Sequence, residues 1–190
     1  MLSGLLSVGL AVVLLAGCAG KEPASLPADV KGLPGQRPRD VELLFAKAHV
    51  FWKGDNCTDP QEALLILTEA ITQDQDFAAA WAYRGLAYSE LEKREEAFDD
   101  LTKAIRLDPK TAYYADRGLV SLRGGVLSAA RRDLDYSLKK DQKQYRAWNL
   151  LGEVALREGN TEQACRYYAK GCSNGDCVPL QQARKDGQCK

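Results

Sequence analysis

Six cysteines and a single histidine, His49, are the residues of this 190-residue chain with the most chemistry to offer. Cys18 and Cys57 stand apart; Cys165, Cys172, Cys177 and Cys189 cluster near the end. Thiols bridge to one another, ligate zinc as thiolates, or carry covalent groups. The last four are spaced by 7, 5 and 12, with no Cys-x-x-Cys and no neighbouring histidine. That spacing disfavours zinc and excludes haem attachment, which needs Cys-x-x-Cys-His. In an oxidising compartment such cysteines pair as disulfides. His49 lies among Phe45, Phe51 and Trp52 and reads as a structural histidine. No Ser/His/Asp set, His-Glu-x-x-His helix or phosphate loop is visible. Asp99 and Asp100 read as neighbours on a helix surface rather than as a cleft. No catalysis, cofactor or metal is therefore expected. Lys+Arg and Asp+Glu number 26 each, so a binder driven by release of nucleic-acid counterions is excluded. An apolar fraction of 45% excludes a charged disordered chain.

The surroundings of Cys18 give it a different chemistry from the rest. Residues 1–17 carry no charged side chain, and Leu5 to Leu15 form an apolar run broken only by Ser7 and Gly9. A bilayer span needs about 20 apolar residues, so this run is too short, but it suits a signal-peptide core. Met1 to Gly4 lack the Lys or Arg of a typical signal. Leu15-Ala16-Gly17-Cys18 resembles the lipobox of bacterial lipoproteins. The resemblance implies cleavage before Cys18, a diacylglyceryl thioether on its sulfur and acylation of the new amine. It further implies a cell-envelope protein held to the membrane by its lipid, with the folded part in the periplasm. Ala19, which is not an aspartate, favours the outer membrane by the same resemblance. The following stretch, 18–39, holds Pro23, Pro27, Pro34 and Pro38 and reads as a tether. It would reach about 25 Å as a flexible coil, and more if polyproline-like.

The elements that must position everything else repeat. Trp81, Gly85, Tyr88, Ala97, Leu101, Ala104, Leu107 and Pro109 fall at positions that recur downstream. Gly118, Ala130, Leu134 and Ser137 sit 33 residues after Gly85, Ala97, Leu101 and Ala104, with Tyr114 preceding Gly118 as Trp81 precedes Gly85. Trp148, Leu151, Gly152, Ala164, Tyr168 and Gly171 follow 34 residues later. Upstream, Ala63, Leu67 and Ala70 fit a degenerate unit. These spacings resemble the tetratricopeptide repeat (TPR). The resemblance implies an all-α helix-turn-helix solenoid with about three to four repeats and a concave groove. The units are a degenerate repeat over 40–77, then 78–110, 111–144 and 145–178, with a cysteine-stapled cap over 179–190. The degenerate unit's first helix is expected over about Val41 to Lys53, with roughly three extra residues near Asn56-Cys57-Thr58. Trp81, Tyr88, Tyr114 and Trp148 stand at core positions of the repeat.

TPR families bind ligands along the groove made by first helices. Carried over position by position, the groove is Ala79, Ala82, Leu86, Ser89 and Glu90, then Ala112, Ala115, Leu119, Leu122 and Arg123, then Arg146, Asn149, Glu153, Leu156 and Arg157. The first two sets are mainly small and apolar and the last is charged, which suits a protein or peptide partner with an apolar side. Ala82 and Leu86 stand where a chaperone-tail clamp needs a cation and an amide, so that adaptor role is not implied. Arg131-Arg132 and Lys139-Lys140 are offset by Asp133, Asp135 and Asp141, and the alternating charges from Glu90 to Glu96 read as a solvated turn.

The terminal cysteines fit this scheme. Helices over 161–173 and Val178 to Lys185, joined by a turn at Ser173-Asn174-Gly175-Asp176, would bring Cys172 near Cys177 and Cys165 near Cys189. Other pairings, such as Cys172 with Cys189, stay open, and Cys57 has no partner. The leading reading is a lipid-anchored scaffold that takes part in assembling an envelope machine for pilus, secretion, outer-membrane or cell-wall work. The alternative is a thiol-redox or metal-handling role for the terminal cysteines.

Overall fold

The computed structural model describes residues 38–190. The signal segment over 1–17, Cys18 and nearly all of the tether lie outside the described residues. Among those described, the architecture is all-α apart from one small hairpin. Helix α1 (Arg39–His49) leads into strands β1 (Trp52–Lys53) and β2 (Asn56–Cys57), and α2 (Pro60–Gln73) closes the first unit. Three helical hairpins follow: α3 (Ala78–Glu90) with α4 (Arg94–Leu107), α5 (Thr111–Arg123) with α6 (Leu127–Lys140), and α7 (Tyr145–Arg157) with α8 (Thr161–Ser173). Helix α9 (Val178–Lys185) ends the array. Among the described residues no helix is long and apolar enough to cross a membrane.

Each hairpin closes where the second helix meets a glycine on the first. A Cβ on Gly85 would lie 2.9 Å from the Ala97 carbonyl oxygen and 3.0 Å from Leu101 Cγ. One on Gly118 would lie 2.9 Å from Leu134 Cγ, and one on Gly152 would run into the Tyr168 ring. Leu101, Leu134, Ala97, Ala130 and Ala164 are fully buried at these crossings. Helix α3 also touches α5, and α5 touches α7, so the first helices stand in one row. Trp81 and Trp148 tie their helices to the preceding loops, donating from Nε1 to the carbonyls of Gln75 and Gln142, each at 2.8 Å. At the matching place in the third repeat Tyr114 is half-buried, as Trp81 and Trp148 are, and packs on Tyr136 at 4.2 Å, while its neighbour Tyr113 is buried.

The first unit departs from the expected pattern. Its first helix stops at His49 rather than running to Lys53, and Trp52 pairs with Cys57 and Lys53 with Asn56 across an antiparallel ladder. Aromatic residues favour strands, and Gly54, at φ +62°, takes a left-handed corner that a helix cannot continue through. Asp59 then restarts the helix. Its Oδ1 accepts the Glu62 amide at 3.1 Å, and Pro60 occupies the first helical turn.

The far end is covalently closed. Cys165 is bridged to Cys189 (Cα–Cα 5.6 Å) and Cys172 to Cys177. Leu180 and Ala183 of α9 are buried with Ala155, Ala164 and Tyr168, so α9 covers the apolar face that a next repeat would otherwise bury. Replacing Cys165 and Cys189 together by alanine should lower unfolding stability by about 2–4 kcal/mol, read by urea titration of the unreduced protein. An unchanged midpoint would mean that packing alone holds the cap. The turns inside the hairpins offer a second test. Gly125 (φ +77°) and Gly159 (φ +79°) take left-handed conformations, and at the same place the second repeat has Glu92 at φ +59°. Glu92→Gly should stabilise by about 1 kcal/mol, seen as a raised Tm, because a side chain is disfavoured there.

Candidate functional site

The row of α3, α5 and α7 carries the residues expected to line a groove, and the structure divides them in two. Ala82, Leu86, Ala115, Leu119 and Leu122 are buried. Leu86, Ala115, Leu119 and Leu122 share a core with Ala147 and Leu150, and the indole of Trp52 packs against it. Arg146, Asn149, Glu153 and Ser89 keep partial exposure. The apolar stretch is therefore not an open surface: Ala82 packs with Ala97, Leu101 and Tyr113, and the others pack with Leu134, Leu138 and Leu151 as well as with Trp52 of the β1–β2 hairpin. Trp52 meets the Tyr83 ring edge-on at 4.9 Å. The Asp55 carbonyl and Asn56 Oδ1 accept from Arg123 Nη2 at 3.0 and 3.3 Å, and Arg123 also pairs with Glu90 at 2.8 Å. Arg146 Nε donates to Asp55 Oδ1 at 2.5 Å, across 91 residues of sequence.

Arg146 is the electrostatic hub of the row. Besides Asp55, it holds the buried Asp116 of α5 through Nη1. Burial by itself lowers the affinity of Arg146 for its proton, but the two carboxylates outweigh that and hold it above the ordinary arginine range. Burial pushes the Asp116 carboxyl up, and the Arg146 charge pulls it back.

Beyond Asp55 the row opens into a cavity of about 390 Å³, lined among others by Asp55, Tyr145, Arg146, Asn149, Glu153 and Tyr168. Asn149 Nδ2 donates to Asp176 Oδ2 at 2.8 Å, and its Oδ1 is buried without a hydrogen-bond partner. Glu153 pairs with Arg157 at 3.0 Å. Burial, and then the Glu153 charge, push the Tyr168 hydroxyl up to about 12, so it faces this cavity as a neutral phenol.

Two family models, both described as tetratricopeptide repeat, match residues 78–111 and 116–176, together half of the chain. The chain belongs to the tetratricopeptide-repeat family. It is 30% identical over 131 residues to tetratricopeptide repeat protein 13 of Homo sapiens, a stretch covering 68% of this chain and 15% of that protein. The chain spans less than a fifth of the length of the curated relatives it matches. Among solved structures, the thermophilic TPR protein TTC0263 of Thermus thermophilus superposes with a TM-score of 0.68 at 21% identity, covering 80% of this chain and 82% of that one. The second TPR domain of human RPAP3, solved in complex with an HSP70 peptide, superposes with a TM-score of 0.54 at 26% identity over 61% of this chain and 95% of that domain.

Some residues of this TPR chain do work that the sequence reading did not assign. Asp100 is no surface neighbour of Asp99: it is buried and takes a two-pronged bond from Arg84 at 2.7 and 2.9 Å. Arg117 and Asp133 repeat the pair 33 residues on, with both bonds at 2.8 Å. Each arginine also reaches back to the preceding repeat, to Thr68 at 3.3 Å and Thr102 at 3.1 Å. The pairs thus knit both a hairpin and its neighbour. Arg84/Arg117 and Asp100/Asp133 recur at the repeat period, a signal open to anyone comparing polar as well as apolar positions. Glu90, likewise, belongs to the Arg123 pair rather than to a solvated turn. Asp55 carried no such signal. Cys57 is the free cysteine among the described residues; it is buried, which pushes its thiol up and makes it a poor nucleophile.

Removing Arg146 leaves Asp116 buried without its cation. Arg146→Ala should cost about 3–5 kcal/mol at pH 7. The folded-state pKa of Asp116 then rises further above its unfolded value. Its contribution is present below the unfolded value and lost as pH rises through the folded one, so the deficit should shrink when urea unfolding is repeated near pH 4. Adding Asp116→Ala should restore part of the loss. A pH-independent deficit would place the cost elsewhere.

Proposed function

We infer that this chain is a non-catalytic scaffold, lipid-anchored at Cys18 in a bacterial cell envelope, that binds a protein or peptide partner along its row of first helices. Tetratricopeptide repeats are protein-interaction modules, some of which bind peptides, as the RPAP3 domain binds its HSP70 peptide. The observation that carries the binding reading is the cavity against α7. It offers aromatic walls at Tyr145 and Tyr168 and hydrogen-bonding groups at Asn149 and Glu153, next to an arginine held charged. Such a mix of apolar wall and few polar groups is how a groove orients a peptide. Ala82 and Leu86 argue against a chaperone-tail clamp in the second repeat, which leaves the fourth repeat as the place for polar recognition.

The anchoring reading rests on Leu15-Ala16-Gly17-Cys18 and the proline-rich stretch after it. Two or three acyl chains hold a protein firmly where one does not. A module tethered about 25 Å from the headgroups suits assembly work on an envelope machine for pilus, secretion, outer-membrane or cell-wall tasks.

Both halves are testable in a bacterial host. Labelled palmitate should enter the protein, and Cys18→Ser should abolish both the label and membrane association. For the groove, Tyr145→Glu and Glu153→Arg change half-exposed residues and should leave the fold intact. Pull-downs from solubilised envelopes should lose the partner with this double variant. Equal capture by variant and wild type would rule out the α7 cavity as the binding site.

A further inference from the structure

The β1–β2 hairpin does more than connect two helices. In the later repeats three residues suffice between first and second helix: 91–93, 124–126 and 158–160. Between α1 and α2 there are ten, 50–59. The surplus is spent inside the row of first helices. Trp52 sits against Tyr83 and the Leu86 core, and Asp55, three positions later, supplies a carboxylate to Arg146. The hairpin thus occupies the groove in the manner of a bound peptide: an apolar anchor beside Tyr83 and the Leu86 core, and an acidic contact on α7.

Its hold is incomplete. Each strand has two residues, so the hairpin's own ladder is short and its hold rests on its contacts with the helices, among them the Arg123 and Arg146 bonds and the buried Cys57. Trp52 Nε1 is buried with no acceptor. Donors left unpaired in this way weigh against the state that buries them. The Asp55 side chain keeps 40% of its exposure, and the Asp55–Arg146 contact borders the open cavity.

We propose that residues 51–58 are a built-in, displaceable occupant of the groove, and that the partner is a segment carrying an aromatic residue followed three positions later by a carboxylate, which replaces Trp52 and Asp55. This rests on the reading that the row binds a peptide. The hairpin sets a threshold: a ligand's apparent affinity falls by the fraction of molecules whose groove is open. The partner's aromatic ring takes the place beside Tyr83, and its carboxylate takes Arg146.

The test uses the full-length protein in detergent and a fluorescent synthetic peptide of residues 49–60 with Cys57→Ser. The double variant Trp52→Ala/Asp55→Ala frees the groove and should bind this peptide at least about ten-fold tighter than wild type, by anisotropy. A peptide that also carries Trp52→Ala and Asp55→Asn should not bind. Equal affinity for wild type and variant, or no binding to either, overturns the proposal. In case the double variant unfolds, wild type alone gives a second reading. Saturating peptide should strip amide-exchange protection from Thr58, whose N–H donates to the Phe51 carbonyl at 2.8 Å, while α5 and α7 stay protected. Unchanged protection of Thr58 overturns the displacement. Failure here, with envelope capture still abolished by Tyr145→Glu/Glu153→Arg, would leave the groove reading standing. Loss of dependence on Tyr145 and Glu153 would remove that reading itself.

Discussion

A methyl group has no room at Gly85, Gly118 or Gly152. That constraint sets how near the two helices of each hairpin lie, and much else follows from the distance. At this approach Leu101, Leu134 and Tyr168 reach across to the facing first helix and are buried there. Close-packed interiors transmit such spacing, since they hold few voids to absorb a misfit. The same spacing brings Arg84 within two-pronged reach of Asp100, and Arg117 of Asp133. A guanidinium matches a carboxylate only when both bonds form side by side, so these pairs add geometric specificity to an apolar contact that has little of its own.

Stacking such hairpins leaves two unsolved ends and one unsolved face. The Cys165–Cys189 and Cys172–Cys177 bridges and α9 close one end, where Leu180 and Ala183 cover what a fifth repeat would bury. The face is the row of α3, α5 and α7. The chain covers part of it with Trp52 and leaves the α7 end open. Arg146 joins these solutions. It neutralises Asp116 beneath it, holds Asp55 above it, and borders the cavity beside it. A cation so placed is costly to remove, because Asp116 would be left buried without its charge partner.

The repeat positions determined the helices themselves. The ends of α8 and α9, the turn at Ser173-Asn174-Gly175-Asp176 and the glycines at hairpin crossings were all legible in the sequence, because each follows from local rules: a period of 3.6, a helix-stopping proline or glycine, and a 33- or 34-residue spacing. The proximity that joins Cys165 to Cys189 and Cys172 to Cys177 came from the same local geometry, although the residues alone left other pairings, such as Cys172 with Cys189, open. What only the tertiary structure decided depends on long-range contact. Whether Leu86 and Leu119 face a partner or the chain's own Trp52 turns on where a connection seven residues longer than its counterparts falls. Asp55 meets Arg146 from 91 residues away, and no period links them. Likewise Asp99 and Asp100 look alike as a pair in sequence, and one is buried because a neighbouring helix brings an arginine to it. Periodic side chains report their surroundings because every repeat shares them; an insertion occurs once, and its place is settled by the surface it finds.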